Sequence, residues 1–111
     1  MTISIIGTGY VGLVTGAVFA DLGHKVYCVD IDQDKLSKLK KGIIPFFEPG
    51  LSELVKKNLD ADRLIFTDSY SESVSNSEII FICVGTPPNG NGEADLSYLF
   101  KATESASKYL K

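Results

Sequence analysis

Apolar residues in this chain cluster in short runs that alternate with longer stretches where they recur every three or four positions. A short apolar run bounded by glycine or polar residues reads as a strand buried in a sheet, and the longer spacing reads as an amphipathic helix. The pattern predicts strands at Thr2–Ile6, Lys25–Val29, Leu64–Thr67 and Ile79–Val84, the last apolar enough to be covered on both faces. Helices are predicted at Tyr10–Leu22, at Gln33–Lys40, from Leu51 to Leu59, at Tyr70–Ser75 and at Leu96–Leu110. In the first helix Val11, Val14, Val18 and Leu22 share one face and are expected inward; in the second, Leu36 and Leu39 point inward and the lysines outward. Gly23 and Gly42 stop these two helices, Asp32 is placed to cap the second, and Asp95 the last. Ile43–Gly50, with its two prolines and two phenylalanines, and Gly85–Gly92 read as loops.

Strands alternating with helices imply a parallel sheet covered on both faces. Right-handed crossovers then give the strand order 3-2-1-4 in a single domain, residues 1–111. The winding reverses between the first and fourth strands, and ligands of such sheets bind above the carboxyl ends at that point. Gly7–Gly12 and Gly85–Pro88 both emerge there, which puts Thr86 and Pro87 beside any bound molecule.

The turn after the first strand reads Gly7-Thr8-Gly9-Tyr10-Val11-Gly12, three glycines spaced G-x-G-x-x-G between a strand and a helix. Gly7 frees the chain to turn sharply, Gly9 lets a pyrophosphate approach the backbone, and Gly12 lets the helix lie close on the sheet. Gly16, one turn on, serves the same close packing. The free N–H groups and the positive end of the helix dipole face the phosphates. Asp30 ends the second strand, where its carboxylate can accept hydrogen bonds from both adenosine ribose hydroxyls and would repel a 2′-phosphate. The residues after it, Ile31-Asp32-Gln33, include no arginine. These features make up the Rossmann-type dinucleotide-binding fingerprint and favour NAD over NADP; the alternative is a tight turn that binds nothing.

Composition narrows the remaining classes. The chain has 111 residues, a net charge of −3 and a single arginine, Arg63, which argues against a nucleic-acid surface. No apolar run approaches a membrane span, and the sequence opens directly on a strand. Cys28 and Cys83 both fall in predicted buried strands and read as reduced core thiols, so a cytoplasmic setting is expected. No metal-ligand pattern is present. His24 lies in a predicted turn and reads as a surface residue. Glu48, between Phe46-Phe47 and Pro49, either walls an active-site cleft or belongs to a structural loop whose phenylalanines pack on the core, its charge favouring the start of the next helix.

Five segments in this order, Gly7-Thr8-Gly9-Tyr10-Val11-Gly12-Leu13, Val29-Asp30, Phe47-Glu48-Pro49-Gly50-Leu51, Cys83-Val84-Gly85-Thr86-Pro87 and Asp95-Leu96-Ser97-Tyr98, resemble the N-terminal domain of the UDP-glucose/GDP-mannose 6-dehydrogenases over nearly the whole chain. The resemblance implies an enzyme that oxidises the C6 alcohol of a nucleotide sugar to a carboxylate with two NAD and one water. UDP-glucose is the favoured sugar; GDP-mannose and UDP-N-acetylmannosamine are alternatives. The resemblance implies that the backbone of Tyr10 and Val11 contacts the pyrophosphate, that Asp30 and Lys35 hold the adenosine ribose, and that Thr86 lies beside the cofactor. It further implies that the catalytic cysteine, lysine and asparagine, strands five and six, and the helix that makes a homodimer lie beyond these residues. The chain is therefore expected to be an N-terminal fragment, truncated before strands five and six and inactive alone. A reading of another class, a nucleotide-sensing regulatory module, shares the strand, glycine turn and acid, but Glu48-Pro49-Gly50 and Gly85-Thr86-Pro87 count against it.

Overall fold

The computed structural model describes residues 1–110; Lys111, the end of the predicted domain, lies outside the described residues. The elements run β1 (Thr2–Ile6), α1 (Tyr10–Asp21), β2 (Lys25–Val29), α2 (Gln33–Lys40), α3 (Leu51–Asp60), β3 (Leu64–Thr67), α4 (Tyr70–Ser75), β4 (Ile79–Ile82) and α5 (Ser97–Ser107). All strands are parallel, in the order β3-β2-β1-β4, as the crossover rule requires.

The period-two alternation of the strands divides the core between the two faces of the sheet. Ile3, Ile5, Val26, Cys28, Leu64 and Phe66 meet Leu13, Ala17 and Ala20 of α1, Leu36 and Leu39 of α2, and Leu51 and Val55 of α3. On the other face Ile6 and Val29 meet Val74 of α4 and Ala102 and Ala106 of α5. The cleft described below opens above the carboxyl ends of β1 and β4, between these two layers.

Helix α1 buries a different face from the one the valine spacing predicts. Gly12, Leu13, Gly16, Ala17 and Ala20 are buried, whereas Val11, Val18 and Leu22 are exposed. The reason is separation. A β-carbon on Gly16 would stand 2.7 Å from the Cys28 sulfur, so α1 lies too close to the sheet for branched side chains, and its small residues occupy the contact.

The far end of α1 is fixed by a buried polar network. Asn58 of α3, fully buried, donates its amide to Asp21 Oδ1 (3.2 Å) and to the Leu54 carbonyl (2.9 Å). Arg63 Nε donates to Asn58 Oδ1 and to the Ala20 carbonyl, both at 3.0 Å. The only arginine thus closes the C-terminus of α1, where a cation is favoured by the exposed carbonyls.

Three further departures concern the ends of elements. β4 stops at Ile82, so Cys83 lies just past the strand and is half-buried, unlike fully buried Cys28. As the edge strand β4 is also less covered than predicted, with Ile79 exposed. Helix α5 spans Ser97–Ser107, shorter at both ends than predicted, and its N-cap position is Leu96. Asp95 sits one residue further out and accepts from the Ser97 N–H (2.9 Å), an Asx turn leading into the helix. Asp32 does cap α2, accepting from Lys35 N at 3.1 Å, and Gly23 and Gly42 adopt the positive φ expected of helix stops.

The Gly16–Cys28 contact yields a stability test. Gly16→Ala gains about 1 kcal/mol of helix propensity but forces a methyl onto the sulfur, which typically costs about 1–3 kcal/mol. The substitution should lower the urea midpoint, and Cys28→Ala in the same chain should recover part of the loss, because the sulfur's space is then free. Additive single and double variants would show that the two positions are not in forced contact.

Candidate functional site: the cleft above the glycine turn

Gly7 leaves β1 at φ +104°, a backbone angle that strongly favours glycine. A β-carbon there would also lie 2.7 Å from the Cys83 carbonyl oxygen, so the turn is tied closely to the end of β4. Gly12 is tighter still. Its β-carbon would fall 2.0 Å from the Gly7 carbonyl oxygen and 3.3 Å from Cys83 Cβ, so the close approach it permits is to the glycine turn itself more than to the sheet. Gly9 differs from both: nothing lies within 4 Å of the corresponding position. It occupies the N-cap of α1 with no side chain to satisfy the first N–H groups, and no acidic residue follows in the first turn. The structure therefore leaves open space, free donors and a positive helix end at one place, an arrangement suited to an anion.

Above this turn lies a cleft of about 1010 Å³, at the upper end of the roughly 300–1,000 Å³ common for small-molecule and cofactor sites. Gly7, Gly9, Tyr10 and Val11 line its floor, Asp30 and Lys35 one side, and Thr86 the other. Gly12 is not among its lining residues; it builds the turn from behind.

Asp30 is held by several donors. The Thr8 hydroxyl and the Thr8 N–H (3.3 Å) both donate to Oδ2, the Asp32 N–H donates to Oδ1 at 3.0 Å, and Lys35 Nζ pairs with Oδ2 at 3.6 Å. Burial pushes the carboxyl pKa up, but the Thr8 hydroxyl, the Asp32 N–H, Lys35 and the Thr8 N–H outweigh it and hold Asp30 below the usual carboxylate range. Asp30 is thus a fixed negative charge at neutral pH. With one donor on Oδ1 and a capacity of two per oxygen, it retains an acceptor position. Lys35 is already engaged with Asp30 and neutralises part of that charge.

The cleft includes residues that the sequence pattern did not single out. Thr8 sets the orientation of Asp30. Tyr70, the first residue of α4, lines the wall; burial and then the nearby Asp30 raise its phenol pKa. Tyr98, Lys101 and Ser105 face the cleft from α5. Their spacing of three and four residues on one helix was the available signal. Cys83 lines the cleft as well, its thiol pKa raised by burial.

The loop Ile43–Gly50 follows neither sequence reading in full. Phe46 packs against the core, but Phe47 is 88% exposed. The Glu48 side chain accepts from the Tyr10 hydroxyl at 2.8 Å, while its backbone carbonyl accepts from Leu51 N. His24 sits in the turn after α1, its ring edge-on to Phe19. Among the described residues no cluster of three metal-ligating side chains occurs, and no helix is long and apolar enough to cross a membrane.

The two glycines predict opposite outcomes. Gly12→Ala should cost well over the roughly 1 kcal/mol that alanine gains in a helix, because the methyl has no space beside the Gly7 carbonyl. Gly9→Ala should cost only about 0.5–1 kcal/mol, the price of a poorer N-cap. Thermal denaturation of the two variants checks the contrast, and equal losses would contradict the geometry.

The sequence matches the UDP-glucose/GDP-mannose dehydrogenase family, NAD binding domain, over residues 1–111. It is 53% identical over 112 residues to a UDP-glucose 6-dehydrogenase of Rhizobium meliloti, covering 100% of this chain and 26% of that protein. It is 50% identical over 108 residues to the UDP-glucose 6-dehydrogenase TuaD of Bacillus subtilis, covering 97% of this chain and 23% of that one. A ternary complex of GDP-mannose dehydrogenase from Pseudomonas aeruginosa superposes with a TM-score of 0.92 at 38% identity, over 96% of this chain and 24% of that chain. The chain thus spans about a quarter of the length of these relatives. By its glycine turn, its strand order and this match along its whole length, the chain belongs to the UDP-glucose/GDP-mannose dehydrogenase family, as its NAD binding domain.

Proposed function

We propose that this chain forms the adenosine and pyrophosphate half of the cofactor site in an NAD-dependent 6-dehydrogenase of nucleotide sugars, with UDP-glucose as substrate. The observation that carries the reading is the convergence in one cleft of the uncapped α1 N-terminus and the clamped Asp30 carboxylate. The residues fit the cofactor: open space at Gly9 admits a pyrophosphate, and the remaining acceptor position on Asp30 suits a ribose hydroxyl. In this reading the N–H groups of Tyr10 and Val11 take the pyrophosphate, Asp30 and Lys35 the ribose, and Thr86 borders the cofactor past β4. When bound, NAD supplies the acceptor for the hydride removed from the sugar C6 carbon. The protein's part is to hold that cofactor in register and to exclude a 2′-phosphate through the charge of Asp30.

UDP-glucose is favoured because two curated relatives near 50% identity act as UDP-glucose 6-dehydrogenases. The GDP-mannose dehydrogenase fold match keeps that sugar as the second reading. Two free thiols fit a reducing, cytoplasmic setting. Burial disfavours the thiolate form of both. Burial and then nearby Cys83 push the Cys28 pKa up to about 12, and burial raises that of Cys83.

Two experiments test this. Calorimetric titration should show binding of NAD but not NADP, and Asp30→Ala should weaken NAD by about 1.5–3 kcal/mol, the range for hydrogen bonds to a charged group. Equal affinity for both dinucleotides in the unmutated chain would sink the assignment. Mixed with NAD and UDP-glucose, the chain alone should produce no reduced nicotinamide; steady turnover abolished by Cys83→Ser would overturn the inert reading of that thiol.

A further inference from the structure

Tyr10 is an unusual residue to find at a phosphate-binding turn. It is the first residue of α1, and its N–H belongs to the uncapped helix end. Its side chain does not enter the sheet. It reaches instead across to the loop between α2 and α3, where its ring rests on Phe46 with centroids 5.2 Å apart and planes inclined at 49°. Its hydroxyl donates to Glu48 Oε2 at 2.8 Å. The far side of this bridge is well anchored. Phe46 packs on the buried cluster under α1 and α3, and Leu51 N closes a turn onto the Glu48 carbonyl. Gly50, at φ +81°, turns the chain directly into α3. Prolines flank the segment at Pro45 and Pro49.

The near side is held from below, where Gly12 packs on the Gly7 carbonyl and Leu13 is buried, but its outermost residues, Gly9 and Tyr10, are exposed. Gly9 offers no capping side chain, and the space its side chain would occupy is open. A first helical turn without a cap frays unless another contact holds it. Within the described hydrogen bonds, Tyr10 to Glu48 is the long-range side-chain contact made by that turn. Its hydroxyl pKa is raised, foremost by the hydrogen bond to Glu48, so the phenol keeps its donated proton across the neutral range.

We propose that Glu48 is a positioning residue for the cofactor cleft: through the Tyr10 hydroxyl it fixes the first turn of α1, and with it the N–H groups that receive the pyrophosphate. The role rests on the dinucleotide-binding reading given above. It requires an acceptor at this position and does not require a charge. The carboxylate charge in fact opposes an anion bound nearby, so removing the charge while keeping the acceptor should not weaken binding.

The test uses the 111-residue chain and two readouts. In the ligand-free protein, amide exchange at Leu13, whose N–H bonds the Gly9 carbonyl, should quicken in Glu48→Ala and in Tyr10→Phe, while Glu48→Gln stays near the unmutated rate. The thermal midpoint should change little in all three, since the pair is partly exposed and α1 is held by its buried face. In titrations with NAD, Glu48→Ala and Tyr10→Phe should each bind roughly three- to tenfold more weakly, Glu48→Gln should match or exceed the unmutated chain, and the Tyr10→Phe/Glu48→Ala double variant should be no worse than either single one. Weak binding by Glu48→Gln equal to that of Glu48→Ala would overturn the proposal in favour of a charge-dependent role. Unchanged exchange at Leu13 in Glu48→Ala would overturn it whatever NAD does. Failure of the unmutated chain to bind NAD, with exchange behaving as stated, would instead count against the cofactor reading and leave the positioning contact standing.

Discussion

The contact between Gly12 and the carbonyl of Gly7 sets the geometry of everything above the sheet. No β-carbon can stand between them, so the start of α1 is drawn down onto the end of β1. That approach aims the free N–H groups into the cleft, brings the turn against the backbone after β4, and presses the body of α1 so near β2 that no β-carbon fits at Gly16. Such packing trades side-chain burial for proximity. Helix α1 contributes one large buried residue, Leu13, and gains its hold from the network at its other end, where Asn58 and Arg63 engage Asp21 and the Ala20 carbonyl. The helix is thus fixed at its two ends by different means: backbone against backbone at the cleft, and hydrogen bonds to buried polar groups at the far side.

The second determinant is the placement of charge. Asp30 is half-buried and yet ionised, because Thr8, Asp32 and Lys35 surround it with donors. Thr8 lies between the first two glycines, so the same short turn that offers donors toward the cleft also orients the one acid beside it. The helix N-terminus and the acid are separated by a fixed span of backbone, which under the proposed reading matches a molecule carrying both phosphates and a ribose diol.

The sheet order and the position of nearly every element were legible in the sequence because they follow from local pattern: apolar runs, helix stops such as Gly23 and Gly42, and the Asp32 cap. What was not legible depends on distances between elements. The close contact of α1 at Gly12 and Gly16 was legible in the glycines, but the valine spacing was not a guide to the buried face: Val11, Val18 and Leu22 are exposed, Val14 is partly buried, and Leu13 with the small residues lies inward. Of the two phenylalanines that a structural loop would pack on the core, Phe46 does so and Phe47 lies outside, because neighbours on an irregular segment point in different directions. Tyr70 reaches the cleft from α4 with nothing in its neighbourhood along the chain to mark it, and the helical spacing of Tyr98, Lys101 and Ser105 shows that they share a face but not that the face borders the cleft; the fold brings them there. The cleft itself was anticipated because its floor is a contiguous motif, whereas its walls are assembled from distant segments.

The two cysteines, placed as they are, turn the molecule into its own reporter. Cys28 is sealed beneath Gly16 with its thiol proton held up to a pKa of about 12, so an alkylating reagent can reach it only when α1 lifts from the sheet or the chain opens altogether. Cys83 lies half-buried beside the glycine turn, on the border of the cleft. Labelling of the first thiol therefore clocks the opening of the fold, and labelling of the second clocks the occupancy of the cleft. The two rates can be followed in one sample without any added probe, and they separate a ligand that merely fills the cleft from one that also tightens the helix above it.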